Sequence, residues 1–203
     1  SLQLVASLKK DHLTIICHEK NQGLSAARNS GIKAAKNPYI AFLDADDYWH
    51  KEYLLQISNL INYFPEACYY ATGFYECYPN GRKLYSKSKL SKAKSEKGFI
   101  IENFFKSSIG LAPFNMSCFA IKRSTLDTVG FFNEKIRFSE DVDFFIRAHL
   151  HGKTAYNPKP FAFTNLDVPN QLNSVKSSDF QTPTLEEFSD YLNDNKSLSR
   201  YIN

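Results

Sequence analysis

Long apolar runs are missing from this 203-residue chain. The longest, such as Tyr39 to Leu43, reach about five residues, far below the roughly 20 a helix needs to cross a bilayer. No charged-then-apolar leader opens the chain. It starts Ser-Leu-Gln-Leu without a Met, as is expected of a fragment, of a processed chain or of a chain whose early residues were not observed. Cysteine is scarce: Cys17, Cys68, Cys77 and Cys118 show no C-x-x-C spacing and no paired histidine, which argues against zinc. They sit in strand-like apolar runs and are expected as reduced thiols of a cytoplasmic protein. The five histidines form no H-x-x-x-H pattern and no Ser/His/Asp set. His149 and His151 are expected on the surface near a helix end. No charge of one sign dominates: 25 Lys+Arg against 21 Asp+Glu give +4, and without a binding motif this excludes nucleic acid as the expected partner. There is one Trp, but Phe and Tyr (17 and 12) bring aromatics to 15%, enough for a core plus flat surfaces suited to sugars or bases. With 43% hydrophobic and 23% charged residues, global disorder is excluded.

The chain then reads as alternating strands and helices. Ser1 to Lys10 has the pattern of a helix tail and Leu13 to Cys17 that of a short β-branched strand. Asn21-Gln-Gly23 makes a turn before an Ala-rich helix from Ser25 to Lys36, with Ser25 as N-cap and Asn37-Pro38 as breaker. Tyr39 to Leu43 is apolar on both faces, as a buried strand is. A helix from about His50 to Tyr63 follows, then a hairpin of Cys68 to Tyr78 and Arg82 to Tyr85 around Pro79-Asn-Gly81. A short helix at Asn103 to Ser107, a strand at Met116 to Ile121 and a helix at Ser124 to Val129 closed by Gly130 come next. A helix from Glu140 to His151 ends at Gly152 as a left-handed cap. Ala155-Tyr156 and Phe161 to Phe163 are late strands, and Thr184 to Glu187 is a capping box opening a last amphipathic helix. The alternation predicts an α/β fold with a mostly parallel sheet flanked by helices. One domain spans 1–168, and 169–203 form a linker and C-terminal helix.

Three clusters carry chemistry. Asp44, Asp46 and Asp47 follow a buried strand, where open α/β sheets bind ligands. Such crowded carboxylates suit Mg²⁺ or Mn²⁺, and equally suit capping of the next helix. Asn21 to Gly31 joins a turn to a helix start: Gly23 permits close backbone approach, and Arg28 offers a fork for phosphate. The plainer reading is a surface helix with a salt-bridged arginine. Glu140, Asp141 and Asp143 open a helix, where they gain from its dipole or supply a general base.

Asn21-Gln-Gly23 with Ala27-Arg28-Asn29 and Gly31, Tyr39 to Asp47, Val129-Gly-Phe-Phe-Asn-Glu134 and Ser139-Glu-Asp-Val-Asp143 together resemble family 2 glycosyltransferases of the GT-A fold over roughly residues 1 to 168. The resemblance implies an inverting transfer of a sugar from a nucleotide-diphosphate sugar, a UDP-sugar first, to a hydroxyl acceptor in polysaccharide or glycoconjugate synthesis. It implies that Asp44 and Asp46 form a D-x-D holding ribose and a Mn²⁺ or Mg²⁺ ion, with Asp47, Gly23, Arg28 and Asn29 on the nucleotide-sugar side. Asp141 would be the general base, with Glu140 as second candidate. Asp167 stands where many relatives place a His and would be a further metal ligand. The family's usual N-terminal strand–helix–strand has no counterpart in this sequence, so the fragment itself can be inactive.

Two other readings stand beside it: a non-catalytic nucleotide- or carbohydrate-binding relative, and a haloacid dehalogenase-like phosphohydrolase with Asp44 as nucleophile, although Tyr48 departs from that signature. Residues 82 to 97 hold seven Lys/Arg and one Glu. They read first as a solvated mobile loop and second as a peripheral contact to an anionic membrane. The C-terminal helix is expected to pack on the domain or on a second copy in an oligomer.

Overall fold

The computed structural model describes residues 13–93, 95–167, 188–192 and 195–202. The expected helix tail at Ser1 to Lys10 and capping box at Thr184 to Glu187 lie outside them. In chain order come α1 (Leu24–Ala34), β1 (Tyr39–Ala41), β2 (Tyr48–Trp49), α2 (Tyr53–Tyr63), β3 (Tyr69–Cys77), β4 (Lys83–Tyr85), β5 (Phe99–Ile100) and α3 (Phe104–Ser108). They are followed by β6 (Phe119–Lys122), α4 (Leu126–Val129), α5 (Glu140–His151), β7 (Thr154–Asn165), α6 (Ser189–Leu192) and α7 (Lys196–Ile202), with 3₁₀ turns before β6 and α4.

The α/β architecture is as expected; the pairing sense is not. The sheet runs β1-β6-β3-β7-β2, with β4 on β3 and β5 on β7. Only β3 and β7 pair in parallel, while the other five pairs are antiparallel. Alternation predicts parallel strands only where each helix is a crossover between neighbours. Here the long connection after β4 returns the chain so that β6 enters between β1 and β3 in the opposite sense.

The central strands alternate with a period of two. Tyr69 and Ala71 face one core with Phe119, Ile121, Tyr156 and the α5 residues Phe144 and Phe145. Tyr70, Ala120 and Ala155 face the other, where Tyr53, Ile57 and Leu60 of α2 cover them. Helices therefore lie on both faces. Phe188 and Leu198 are buried in the first core, and Tyr201 meets the rings of Phe104 and Phe105 at 5.9 and 5.8 Å. Phe188 and Leu198 of the C-terminal segment thus pack on their own domain, while Tyr191 stays 41% exposed. Among the described residues no helix is long and apolar enough to cross a membrane, and all four cysteines are unpaired.

Several local expectations are corrected. Leu13 to Cys17 forms no strand: no described residue offers it a ladder, and Leu13, Ile15 and Ile16 are 45%, 43% and 47% exposed. α1 is capped by Gly23 at φ 92, without a side-chain cap, and Ser25 is buried inside its first turn. α2 begins at Tyr53 and not at His50: Lys51 and Glu52 form a turn before it, after Tyr48–Trp49 has paired with β7. The basic stretch is partly ordered, since Lys83–Tyr85 pairs with β3 and Ser86 and Ser88 are buried. His149 is no surface residue. Its Nδ1–H donates to the Phe145 carbonyl at 2.7 Å, its Nε2 accepts from the Thr154 hydroxyl at 2.7 Å, and its ring stacks on Phe104 at 3.6 Å. Burial pushes its pKa down to about 3, so it stays neutral.

Gly152 is extended (φ −164), not left-handed. It is needed for space: a Cβ there would lie 2.8 Å from Cys68 Cβ and 2.9 Å from the Tyr69 ring. Gly152→Ala should therefore cost about 1–3 kcal/mol by overpacking. A lower urea midpoint would show it, and an unchanged midpoint would mean that β3 yields freely there.

Candidate functional site

The site is assembled around Arg28. It lies on the second turn of α1, behind a helix start that only a positive-φ residue allows. Gly23 supplies that conformation, and its N–H donates to Asn21 Oδ1 at 2.9 Å. The Arg28 side chain is 8% exposed. Its Nη2 donates to both carboxylate oxygens of Asp44, at 2.8 and 3.1 Å, and its Nη1 to Glu140 Oε1 at 2.6 Å. The guanidinium carbon sits 5.3 Å from the centre of the Phe132 ring. Burial alone would lower the pKa of Arg28, but Asp44, then Glu140 and Asp141, outweigh it and raise it. One buried cation thus joins three motifs that lie far apart along the chain.

Asp44 ends the segment after β1, and its N–H donates to Ser117 Oγ at 3.1 Å. Ser117 is fully buried, and its carbonyl accepts the Trp49 indole N–H at 2.7 Å. Asp47 is a structural pin: its Oδ1 accepts the Asn165 N–H at 3.0 Å, tying the loop to the end of β7. Burial raises its carboxyl above the usual range against hydrogen bonds from Ser117 and Asn165, and Asp46 and Asp44 add to the rise. Asp46, between them, makes no hydrogen bond or ion pair among the described residues.

Glu140 and Asp141 open α5, and Ser139 before them holds a left-handed conformation at φ 59. It is the only non-glycine residue with positive φ among those described. Such strain often sits at functional sites. Glu140 is 7% exposed. Asp141 Oδ1 accepts the Val142 N–H at 2.9 Å, while Oδ2 makes no hydrogen bond among the described residues. Its pKa is pushed up to about 6, first by burial and then by Glu140; Arg28 pulls the other way. A carboxyl so placed can exchange a proton near neutral pH.

Two sequence expectations fare differently. Asn29 does not face the same space as Arg28. Its amide donates to the Phe132 carbonyl and to Glu134 Oε1, both at 2.9 Å, and its oxygen accepts the Phe132 N–H at 3.0 Å. It is a buried clamp on the loop that lays Phe132 under Arg28. Asp44, Asp46 and Asp167 are not gathered as a set of metal ligands. No group of three or more His, Cys, Asp or Glu that could hold a metal exists among the described residues. Asp44 faces Arg28, and Asp167 is exposed beyond β7 with its N–H on Asn165 Oδ1. The remaining donors are hard oxygens, chiefly the unengaged Asp46. They fit a small divalent cation that takes one or two carboxylates and completes its shell with substrate phosphates.

Ser117 was invisible to sequence reasoning, since nothing marks a serine in an apolar run as the support of an acidic loop. Phe132 and Glu134 had a signal in the Val129 to Glu134 stretch, whose role appears only once Asn29 is seen to grip it.

Comparison with known proteins gives a consistent match. The model of the family described as Glycosyl transferase family 2 matches residues 1–130. An uncharacterized glycosyltransferase of Rickettsia felis is 33% identical over 139 residues, 68% of this chain and 21% of that protein. The succinoglycan biosynthesis protein ExoW of Rhizobium meliloti is 30% identical over 159 residues, 73% of this chain and 49% of its own. Residues 1–349 of S. aureus TarS, crystallised with UDP-GlcNAc, superpose with a TM-score of 0.69 at 21% identity, covering 86% of this chain and 48% of theirs. The sheet and its flanking helices share the GT-A fold of that structure. The chain spans about half of ExoW and about a fifth of the Rickettsia protein.

Proposed function

The chain belongs to glycosyl transferase family 2, and from that premise we propose that it is the donor- and base-bearing part of an inverting glycosyltransferase using a nucleotide-diphosphate sugar. The observation that carries this reading is Arg28 holding Asp44 and Glu140 together, with Asp141 beside them poised to take a proton. That arrangement gives the phosphohydrolase reading no support: a nucleophilic Asp44 would need oxygens free of a bidentate cation.

In the proposed reaction an acceptor hydroxyl gives its proton to Asp141 Oδ2 as its oxygen attacks the anomeric carbon. The carbon–oxygen bond to the diphosphate breaks on the opposite face, so the configuration inverts and the nucleoside diphosphate leaves. Burial first, and the Glu140 charge second, keep the Asp141 pKa high enough for it to act as a base near neutrality. Asp46, whose carboxylate is unengaged among the described residues, would hold a Mn²⁺ or Mg²⁺ ion. That ion would offset charge developing on the departing diphosphate.

Calorimetric titration with UDP tests the donor side. Binding to the wild-type chain should strengthen at least tenfold when Mn²⁺ is added, and Asp46→Ala should lose that gain. Equal Mn²⁺-dependent affinity in the variant would overturn the role of Asp46.

A further inference from the structure

The reaction above leaves one feature next to the acidic loop unused. Tyr48 follows Asp47 directly and sits on β2, the terminal strand of the sheet path. Strand alternation sends its neighbour Trp49 inward, where it stacks on Tyr53 at 4.3 Å, and sends Tyr48 outward, 42% exposed. Behind it the register aligns one aromatic from each of four adjacent strands: Tyr48 opposite Phe163, Phe163 beside Tyr75, and Tyr75 opposite Tyr85. The Tyr48 and Phe163 rings are parallel within 5° at 4.6 Å, and Phe163 and Tyr75 within 21° at 5.7 Å. The Tyr48 hydroxyl is paired with Cys77 Sγ at 3.3 Å. Lys83 Nζ stands 5.0 Å from the Phe163 ring centre and 5.9 Å from that of Tyr48. No ion pair engages Lys83 among the described residues.

Tyr48 is therefore a large ring locked in place before any ligand arrives. Among the described residues no further strand lies on its outer side, and a cation stands over the row. Cross-strand aromatic pairing by itself would account for Phe163, Tyr75 and Tyr85. It also seats Tyr48 on Phe163, but it does not account for a terminal ring that stays 42% exposed while fixed by both its face and its hydroxyl. A rigid exposed ring contributes contact area at small entropic cost, and its flat apolar face matches the C–H face of a pyranose. The Lys83 ammonium over the row selects among such rings for one bearing negative charge.

We propose that Tyr48 is the stacking plate for the sugar acceptor and that Lys83 beside it favours an acceptor carrying an acidic substituent. This rests on the glycosyltransferase reading for the word acceptor, but the oligosaccharide contact is measurable without turnover.

The test is calorimetry of the full chain with two probes, tetragalacturonate (acidic) and cellotetraose (neutral), with UDP and Mn²⁺ titrated in parallel. The variants are Tyr48→Ala, Tyr48→Phe and Lys83→Gln. Tetragalacturonate should bind the wild type more tightly than cellotetraose. Tyr48→Ala should weaken both about tenfold, the loss of one stacked ring. Tyr48→Phe should keep them, and Lys83→Gln should remove the preference for the acidic probe while leaving neutral binding in place. UDP affinity should move in none of them. Lys83→Gln and Tyr48→Phe keep the test decisive should Tyr48→Ala unfold. Equal tetragalacturonate affinity in wild type and Tyr48→Ala would overturn the plate, as would failure of both probes to bind the wild type. Binding of phosphatidylglycerol vesicles that needs Lys83, with no oligosaccharide binding, would make the face a lipid contact and overturn it too. Tyr48-dependent oligosaccharide binding without any UDP binding would uphold the plate and count against the transferase reading alone.

Discussion

Asp141→Asn should lower transfer by about a thousandfold, within the range a positioned general base contributes, and should at the same time make the protein more stable at neutral pH. Both effects follow from one feature. Burial first, and Glu140 beside it second, push the Asp141 pKa up to about 6. In the unfolded chain an aspartate titrates near 3.9, so between roughly pH 4 and pH 6 the folded state binds more protons than the unfolded one. Stability contributed at this position therefore falls as pH rises through that window. Above pH 6 the folded protein carries the full cost of a charged Asp141. An asparagine removes the charge and keeps the shape, including the oxygen that accepts the Val142 N–H. The expected gain is about 1–3 kcal/mol at pH 8, since each tenfold difference in proton affinity between the folded and unfolded chain is worth about 1.4 kcal/mol. It should vanish below about pH 4. Urea unfolding at pH 4 and pH 8 reads the stability, and sugar transfer from a UDP-sugar reads the chemistry. Activity within tenfold of wild type would remove Asp141 from the reaction.

The raised pKa of Asp141 also sets the acid limb of the pH profile. In the wild type kcat/KM should fall below about pH 6 with unit slope, because the base must be ionised in the free enzyme. Glu140 is the second cause of the rise and Arg28 its main opponent. Glu140→Gln should accordingly move the limb to lower pH if Asp141 is the titrating group.

The parts of this site that were legible in the sequence are those whose meaning is local. An acidic run after a buried strand and an acidic pair at a helix start announce themselves by residue type and spacing. What could not be read was which side chain meets which. Arg28 and Asp44 are 16 residues apart and Arg28 and Glu140 are 112 apart, and nothing in either motif names the other. Asn29 shows the limit from the opposite side. Its position in the chain groups it with Arg28, yet adjacent helical residues point about 100° apart. One therefore reaches the acidic floor while the other grips the Phe132 loop. The pairing sense of the sheet escapes sequence reading for a related reason. Helices and strands alternate along the chain, but only the route of the long connection after β4 decides that β6 runs against its neighbours. Leu13 to Cys17 has strand residues without a described partner, and β-propensity expresses itself only when a neighbour supplies the ladder.

Arg28→Ala should be the most destabilising single change at this site. The guanidinium is buried, makes three hydrogen bonds to two carboxylates and covers the Phe132 ring. Removing one partner from a buried ion pair leaves uncompensated charge, which costs about 3–5 kcal/mol. Here Glu140 would stay buried, with Asp44 and Asp141 close by and no cation among them. Lysine cannot substitute: a single ammonium has neither the fork nor the reach to donate to both acids at once, so Arg28→Lys should recover only part of the loss. The pH dependence distinguishes this electrostatic account from simple loss of packing. Without the pull of Arg28, the Asp141 pKa should climb beyond about 6. The variant should then lose more stability than wild type between pH 5 and pH 8, so the gap between them should widen toward alkaline pH. A gap of the same size at both pH values, measured by urea unfolding, would assign the effect to the Phe132 contact instead. Arg28→Met, which keeps an apolar stem over that ring without the charge, separates the two contributions: on the electrostatic account it should be nearly as unstable as the alanine variant at pH 8.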